Sequence, residues 1–338
     1  MKQIKPSYYD CFSCLASRCP DTCCQQWDIQ VDPETAAFYH SLPGKLGEKI
    51  RSALRSEEGE TLISLQDGHC PMEQEDGLCG IQSALGHQAL CQVCRDFPRL
   101  RHDYGSFLEL GLELSCPEAA RILLTQPWAP PTVTEIPGGS EPDYDEDAME
   151  VLLSTRDAAL SQLQSPDDSP AQALTLLFFY GVYAQQLLDG EVPDTFDPAA
   201  ALETARILAK PGDLTAVSQF FSRLEVLTPE WSALLQRLSY GPLPAMTLPL
   251  ARYFVSRYWL QAVSDFDLYC RVKFILISVL LISALPGDFI WNAHLYSKEI
   301  ENDIDNVDAI LDAAYSDPLF TDDKILGFLQ GMQEIPRD

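Results

Sequence analysis

Basic residues are scarce in this chain. Across 338 residues, 23 Lys and Arg stand against 50 Asp and Glu, a formal charge of −27. That balance argues against nucleic acid as a ligand, because phosphate binding needs clustered cations, and it disfavours an anionic membrane surface for the same reason. Long apolar runs are also missing. The longest, Phe274–Leu285, is broken by Ser278 and Ser283 and falls short of the about 20 residues a membrane span requires, so it reads as a buried helix. Met1–Lys5 is followed by no apolar stretch of secretory type, so a cytoplasmic location is expected.

Several motifs are absent as well. No two glycines are separated by one residue, which removes the GxG turn of dinucleotide sites and of Rossmann-type methyltransferases. No GKS or GKT marks a P-loop. No three cysteines have the CxxxCxxC spacing of radical enzymes: after Cys19 and Cys23 the required position is Gln26. The histidines form no HxxxH pair, and His69 beside Cys70 reads as a solvated loop residue before it reads as a ligand.

Cysteine is present in excess. Ten of the 11 lie within the first 116 residues. Thiols packed this densely in a reducing compartment serve as metal ligands or redox groups more often than as disulfides. Cys14, Cys19, Cys23, Cys24, Cys70, Cys79, Cys91, Cys94 and Cys116 are the ligand candidates. Cys11 is as readily a small buried packing residue as a ligand, and Cys270, alone in a helical stretch, reads as core. Cys116-Pro117 opens a helix, where the dipole favours a thiolate. Cys23 and Cys24 are adjacent, so their side chains are expected to diverge toward different roles. Thiolates suit zinc and iron–sulfur clusters alike, and spacing does not choose between them.

With 46% apolar residues the chain can bury a substantial core. The fold expected is mainly α: a small irregular α+β cysteine-rich region over 1–125, a Pro- and Gly-rich linker over 126–145, and an all-α helical domain over 146–338. The first region carries net −7 and the rest net −20. Asp32-Pro33-Glu34 starts a helix to about Ser41, and Gly44–Arg55 is a second. Leu62–Leu65 is a short strand. Cys79–Leu85 and Gln88–Asp96 are short helices, and Phe107–Leu114 alternates as a half-buried strand before a helix over Pro117–Leu124. Helical period follows in Glu146–Leu163, Pro170–Leu188, Pro198–Leu208, Leu214–Leu224, Pro229–Leu238, Leu250–Val263, Phe266–Ser283, Asn306–Ala314 and Asp323–Met332, a bundle with short connections.

Tyr9-(x2)-Phe12-Ser13-Cys14 and Cys19-Pro20-Asp21-Thr22-Cys23-Cys24, with Trp27 and Val31-Asp32, make up a first block. Cys70-Pro71-Met72, Asp76-Gly77-Leu78-Cys79 with Ile81-Gln82, Leu90-Cys91, Cys94-Arg95 and Pro98-Arg99 continue it, and Ser115-Cys116-Pro117-Glu118 closes it. Together they resemble the flagellin lysine-N-methylases, and the opening also resembles a CxxxxCC-type iron- or zinc-chelating class. A weaker likeness runs over Tyr253–Ile277 and Tyr296–Glu301. The chain departs from the pattern in the extra Cys11 and in lacking a His beside Glu301.

The resemblance implies methyl transfer from S-adenosylmethionine to flagellin lysine ε-amines, by a protein carrying a [4Fe–4S] cluster on some of the nine matching cysteines, with zinc as the alternative metal. Such a reaction needs a neutral amine and a base. Asp265, Asp267 and Tyr269 are candidates for it, with helix N-capping as their competing role. Tyr8, Tyr9 and Trp27 flank the cysteines and are candidates to cage a sulfonium or ammonium by cation–π contact. The competing reading of the whole chain is a non-catalytic zinc or iron–sulfur module fused to a helical protein-interaction domain.

Overall fold

The computed structural model describes residues 1–25, 27–57, 59–164 and 169–332. Residues 165–168 and 333–338 of the expected helical region lie outside them. The protein is mainly α, with its strands gathered toward the N-terminus.

The N-terminal part contains β1 (Lys2–Lys5), β2 (Ile29–Val31), α1 (Pro33–Ser41), α2 (Gly44–Ala53), β3 (Leu54–Glu57), β4 (Glu60–Ile63), α3 (Gly80–Leu85), α4 (Gln92–Asp96), β5 (Arg99–Asp103), β6 (Phe107–Leu112), α5 (Pro117–Thr125) and β7 (Thr132–Glu135). One sheet has the order β5-β6-β1-β7, with β1 parallel to β6 and antiparallel to β7. The other has the order β2-β4-β3 and is antiparallel. The stretch 126–145, linker by composition, thus supplies an edge strand. Asp32 organises two helix starts with one carboxylate: Oδ1 accepts from Thr35 N at 2.9 Å at the head of α1, and Oδ2 accepts from Gln92 N at 2.9 Å at the head of α4.

Strand β6 departs from the half-buried expectation. Leu108, Leu110 and Leu112 are buried on one face, and so are Phe107 and Glu109 on the other. Helices cover that face too. Glu109 is tolerated there because Arg156 grips it with two hydrogen bonds, at 2.8 and 2.6 Å.

The helical part runs α6 (Glu146–Gln162), α7 (Pro170–Leu188), α8 (Pro198–Leu208), α9 (Leu214–Phe221), α10 (Pro229–Leu235), α11 (Thr247–Tyr258), α12 (Leu268–Ala284), α13 (Phe289–Tyr296), α14 (Ile304–Ser316) and α15 (Asp322–Gly331). A 3₁₀ segment, Trp259–Val263, prolongs α11, and a π-helical turn, Ser297–Glu301, prolongs α13. α12 is the hub and packs on α7, α11, α13, α14 and α15. It is buried almost all round, as its mostly apolar sequence demands. Gly181 lets α7 approach it: a Cβ there would lie 2.7 Å from both Val272 methyls. No helix among the described residues is long and apolar enough to cross a membrane.

Seven α-helices begin on an Asp whose carboxylate accepts a backbone N–H: Asp32, Asp145, Asp197, Asp213, Asp267, Asp288 and Asp303. Part of the acidic excess is therefore helix capping, each cap contributing about 0.5–2 kcal/mol.

The buried apolar side chains form two clusters. The large one unites α6–α15 with β6 and α5, and α5 packs directly on α11 and α13. The small one contains Ile29, Val31, Tyr39, Ile50, Ile63, Met72 and Ile81 together with Cys70 and Cys91.

Candidate functional site

All 11 cysteines are free thiols. Irregular loops between the strands and short helices carry them, because Pro, Gly and Asp interrupt periodicity there. The backbone brings Cys24 and Cys70 side by side: the Cys70 N–H donates to the Cys24 carbonyl at 2.6 Å. Among these neighbouring thiols the Cys24 pKa is held down, whereas Cys23 and Cys70 are pushed up by their neighbours and by burial. Cys116, buried at the head of α5, is pushed up to about 11 by desolvation and has Cys19 and Cys14 as neighbours.

Among the described residues no group of three or more Cys, His, Asp or Glu side chains is gathered tightly enough to hold a metal ion. Of the candidate thiols Cys70, Cys91 and Cys116 are buried, Cys14 and Cys23 are exposed, and Cys19, Cys24, Cys79 and Cys94 are half-buried. Thiols are the soft donors that zinc and iron–sulfur centres take.

An open cleft of about 280 Å³ adjoins them, walled by Ala16, Cys19, Asp21, Thr22, Gln25 and Glu73. Its floor is an ionic clamp. Asp21 Oδ2 receives His294 Nε2 at 2.8 Å and Lys298 Nζ at 2.7 Å, and Oδ1 receives Gln25 Nε2 at 2.7 Å. His294 reaches the Leu114 carbonyl with its other ring nitrogen, at 3.3 Å. Burial alone would raise the Asp21 carboxyl; the bonds from His294 and Lys298 outweigh it and hold the group well below the usual carboxylate range. The Lys298 ammonium also lies over the Trp27 ring, 5.5 Å from its centroid. The cysteine loop is thus fastened to the end of α13 and the following π turn.

A second buried ionic group lies on the same turn. Glu301, whose side chain is fully buried, accepts from the hydroxyls of Tyr253 at 3.0 Å and Tyr258 at 2.9 Å and pairs with Arg257 Nε at 3.1 Å. Glu113, 4.0 Å from Arg257 and bonded by Ser115, has its pKa raised because desolvation outweighs both.

The aromatic and carboxylate candidates are dispersed. Trp27 lies at the clamp, with its face taken by Lys298. Tyr9 lies beside Arg99, and Tyr8 is half-buried with its hydroxyl pushed far up by desolvation and by Glu109. No ring contact joins Trp27 to Tyr8 or Tyr9 among the described residues. Asp265 grips Arg271 at 2.7 and 2.9 Å, Asp267 caps α12 through Cys270 N at 2.9 Å, and Tyr269 bonds Asp322. Asp265 and Asp267 brace the N-terminal end of α12 from within, Tyr269 ties it to α15, and these partners are not in the cysteine loops. Sequence reasoning passed over Asp21, His294, Lys298, Arg257 and Glu301. The signal for two of them was their spacing: His294 and Lys298 stand four apart, on one face of a helix announced by the Asp288 cap.

A thiol-rich surface cleft fastened to a helical body is the class of site this fold presents. No protein-family model and no solved structure matches the chain. Relatives are found among named proteins. The chain is 32% identical over 203 residues to a lysine-N-methylase of Salmonella typhimurium, covering 55% of this chain and 49% of that protein. The match to a lysine-N-methylase of Salmonella choleraesuis has the same figures. It is 35% identical over 142 residues to the flagellar biosynthetic protein FliU of Salmonella muenchen, covering 38% of this chain and 82% of that one. The chain belongs to the flagellin lysine-N-methylase family. It spans about half the length of the lysine-N-methylases it matches.

Proposed function

We propose that this protein transfers a methyl group from S-adenosylmethionine to lysine ε-amines of flagellin, in the cytoplasm. The relatedness to proteins named lysine-N-methylase carries the reading. The cleft beside the thiols supports it, being open, carboxylate-walled and large enough for a lysine side chain.

The nucleophile must be the neutral amine, and free lysine titrates at about 10.4. The site therefore has to strip a proton and bring nitrogen, methyl carbon and sulfonium into line. Glu73 gives the cleft an anionic wall that draws an ammonium in. Asp21 is committed to His294 and Lys298, which fixes the loop and makes it a positioning residue. Cys14, Cys19, Cys23, Cys24, Cys70, Cys79, Cys91, Cys94 and Cys116 are the residues that would hold an iron–sulfur or zinc centre. When bound, it would supply a Lewis-acidic or electron-carrying group at the cleft.

The test is purified protein mixed with flagellin and isotopically labelled S-adenosylmethionine, read by mass spectrometry of flagellin peptides. Label on lysine supports the reading. A ligand at 100 times its Kd should also add about 2.7 kcal/mol to folding stability. Neither label nor a thermal shift at saturating S-adenosylmethionine would overturn it.

A further inference from the structure

We propose that the cleft holds the substrate lysine by a hydrogen bond from its ammonium to Glu73 Oε1, so that the site sorts amines by the N–H groups they retain. The inference rests on the reading of this cleft as the lysine site. It adds which atom binds the nitrogen and which methylation state is held least.

Two loops make the cleft. One wall is the stretch from Ala16 to Gln25, fastened to α13 through Asp21. The other is a tight turn that opens at Glu73. Gln74 N donates to the Leu78 carbonyl and Gly77 N to the Gln74 carbonyl, both at 2.9 Å, and Glu73 is bridged to Cys79 across the base. Gly77, at φ +74°, lets the chain reverse there. From this turn Glu73 and Gly77 line the cleft opposite the first wall.

Of the two carboxylates in the cleft, Asp21 is already taken. Its Oδ2 receives His294 and Lys298, its Oδ1 receives Gln25, and the Lys298 ammonium balances its charge. Glu73 is different. Its Oε2 is bonded by His69 Nδ1 at 2.8 Å, which fixes the carboxylate. Among the described residues Oε1 has no partner, and no Lys or Arg pairs with the group. The side chain is 16% exposed, so an ammonium entering the cleft meets a partly desolvated acceptor and makes a charge-assisted bond. That bond needs an N–H. Protonated lysine and its mono- and dimethylated forms each keep at least one; trimethyl-lysine keeps the charge and has none. The described walls include no aromatic ring to take a quaternary ammonium by cation–π contact instead. The fully methylated side chain is therefore the form this cleft holds least.

The test titrates the full chain with n-butylammonium and with n-butyltrimethylammonium at fixed ionic strength, read on the backbone amide resonances of Ser17 and Gly77. The expected result is saturable shifts with butylammonium and binding of the trimethyl cation weaker by about tenfold or more. Glu73→Gln keeps the size of the side chain and should weaken butylammonium by roughly 10- to 100-fold. Glu75→Gln removes the same charge from an exposed position of the same turn and should change the Kd by about twofold or less. In methyl transfer, Glu73→Gln should raise the KM for flagellin more than it lowers kcat. No saturable shift in the wild type, equal binding of the two cations, or equal losses in Glu73→Gln and Glu75→Gln overturns the inference, whether or not flagellin is methylated. A wild type that binds butylammonium through Glu73 and transfers no methyl to flagellin supports the ammonium site and overturns the reading of the reaction.

Discussion

The large core keeps Trp231, Trp259, Phe254 and Phe274 at 0% exposure, all supplied by helices or their extensions. The small core fills the same role with Ile29, Val31, Ile63 and Met72 from short strands and loops, and completes itself with Cys70 and Cys91. In the helical part, periodic apolar faces do the work and Asp caps mark the starts. In the cysteine-rich part, burial is thin, elements run three to ten residues, and sulfur stands where a larger domain would put leucine. A body of that size falls short of the apolar area that stabilises an independent fold. It gains stability from what it is fastened to, the Asp21 clamp on one side and any metal it binds on the other.

Breaking the large core should have the largest effect. Phe274→Ala, at full burial in α12, should cost about 3–5 kcal/mol, read by urea unfolding, and should lower both parts together. Asp21→Ala should come next. It leaves His294 and Lys298 buried without their carboxylate, a change that costs about 3–5 kcal/mol in comparable pairs. Its loss should fall on the cysteine loops, read as faster amide exchange over residues 16–25 with α7 and α12 unchanged. Equal loosening throughout would show that the two regions are one cooperative unit.

Gly181→Ala should cost about 1–3 kcal/mol by driving a methyl into Val272, with metal content unchanged. The smallest effect is a pH slope. Burial raises the Glu299 carboxyl above its unfolded value despite hydrogen bonds from Thr228 and the Leu227 N–H. The folded state therefore binds that proton more tightly. Its contribution is fully present below the unfolded carboxyl pKa of about 4.3 and is lost as pH rises through the folded one. Glu299→Gln should flatten that part of the stability–pH curve in chemical unfolding; an unchanged slope would count against the burial argument.

Much of the helical part was legible because period and caps are local. Pro170–Leu188 and Pro198–Leu208 have the bounds read from sequence. α13 escaped notice because its eight residues mix Trp, Asn and His into the apolar face, although Asp288 announced it. β1 and β7 were illegible: each is four residues without alternation, β1 exists because of β6 and β7, more than 100 positions away, and β7 because of β1. The meeting of Cys24 with Cys70, whose N–H donates to the Cys24 carbonyl, was not legible, because it comes through a fold that spacing does not encode. Asp265, Asp267 and Tyr269 drew attention as a polar cluster beside a buried helix, and Asp267 turned out to be that helix's cap, the competing role.

The clamp joins residues 273 positions apart in the chain. At the usual synthesis rate of about 5–20 residues per second, His294 emerges roughly 14–55 s after Asp21. Through that interval the loop bearing Cys14, Cys19 and Cys23 has no body to dock on, and its thiols stand open to solvent.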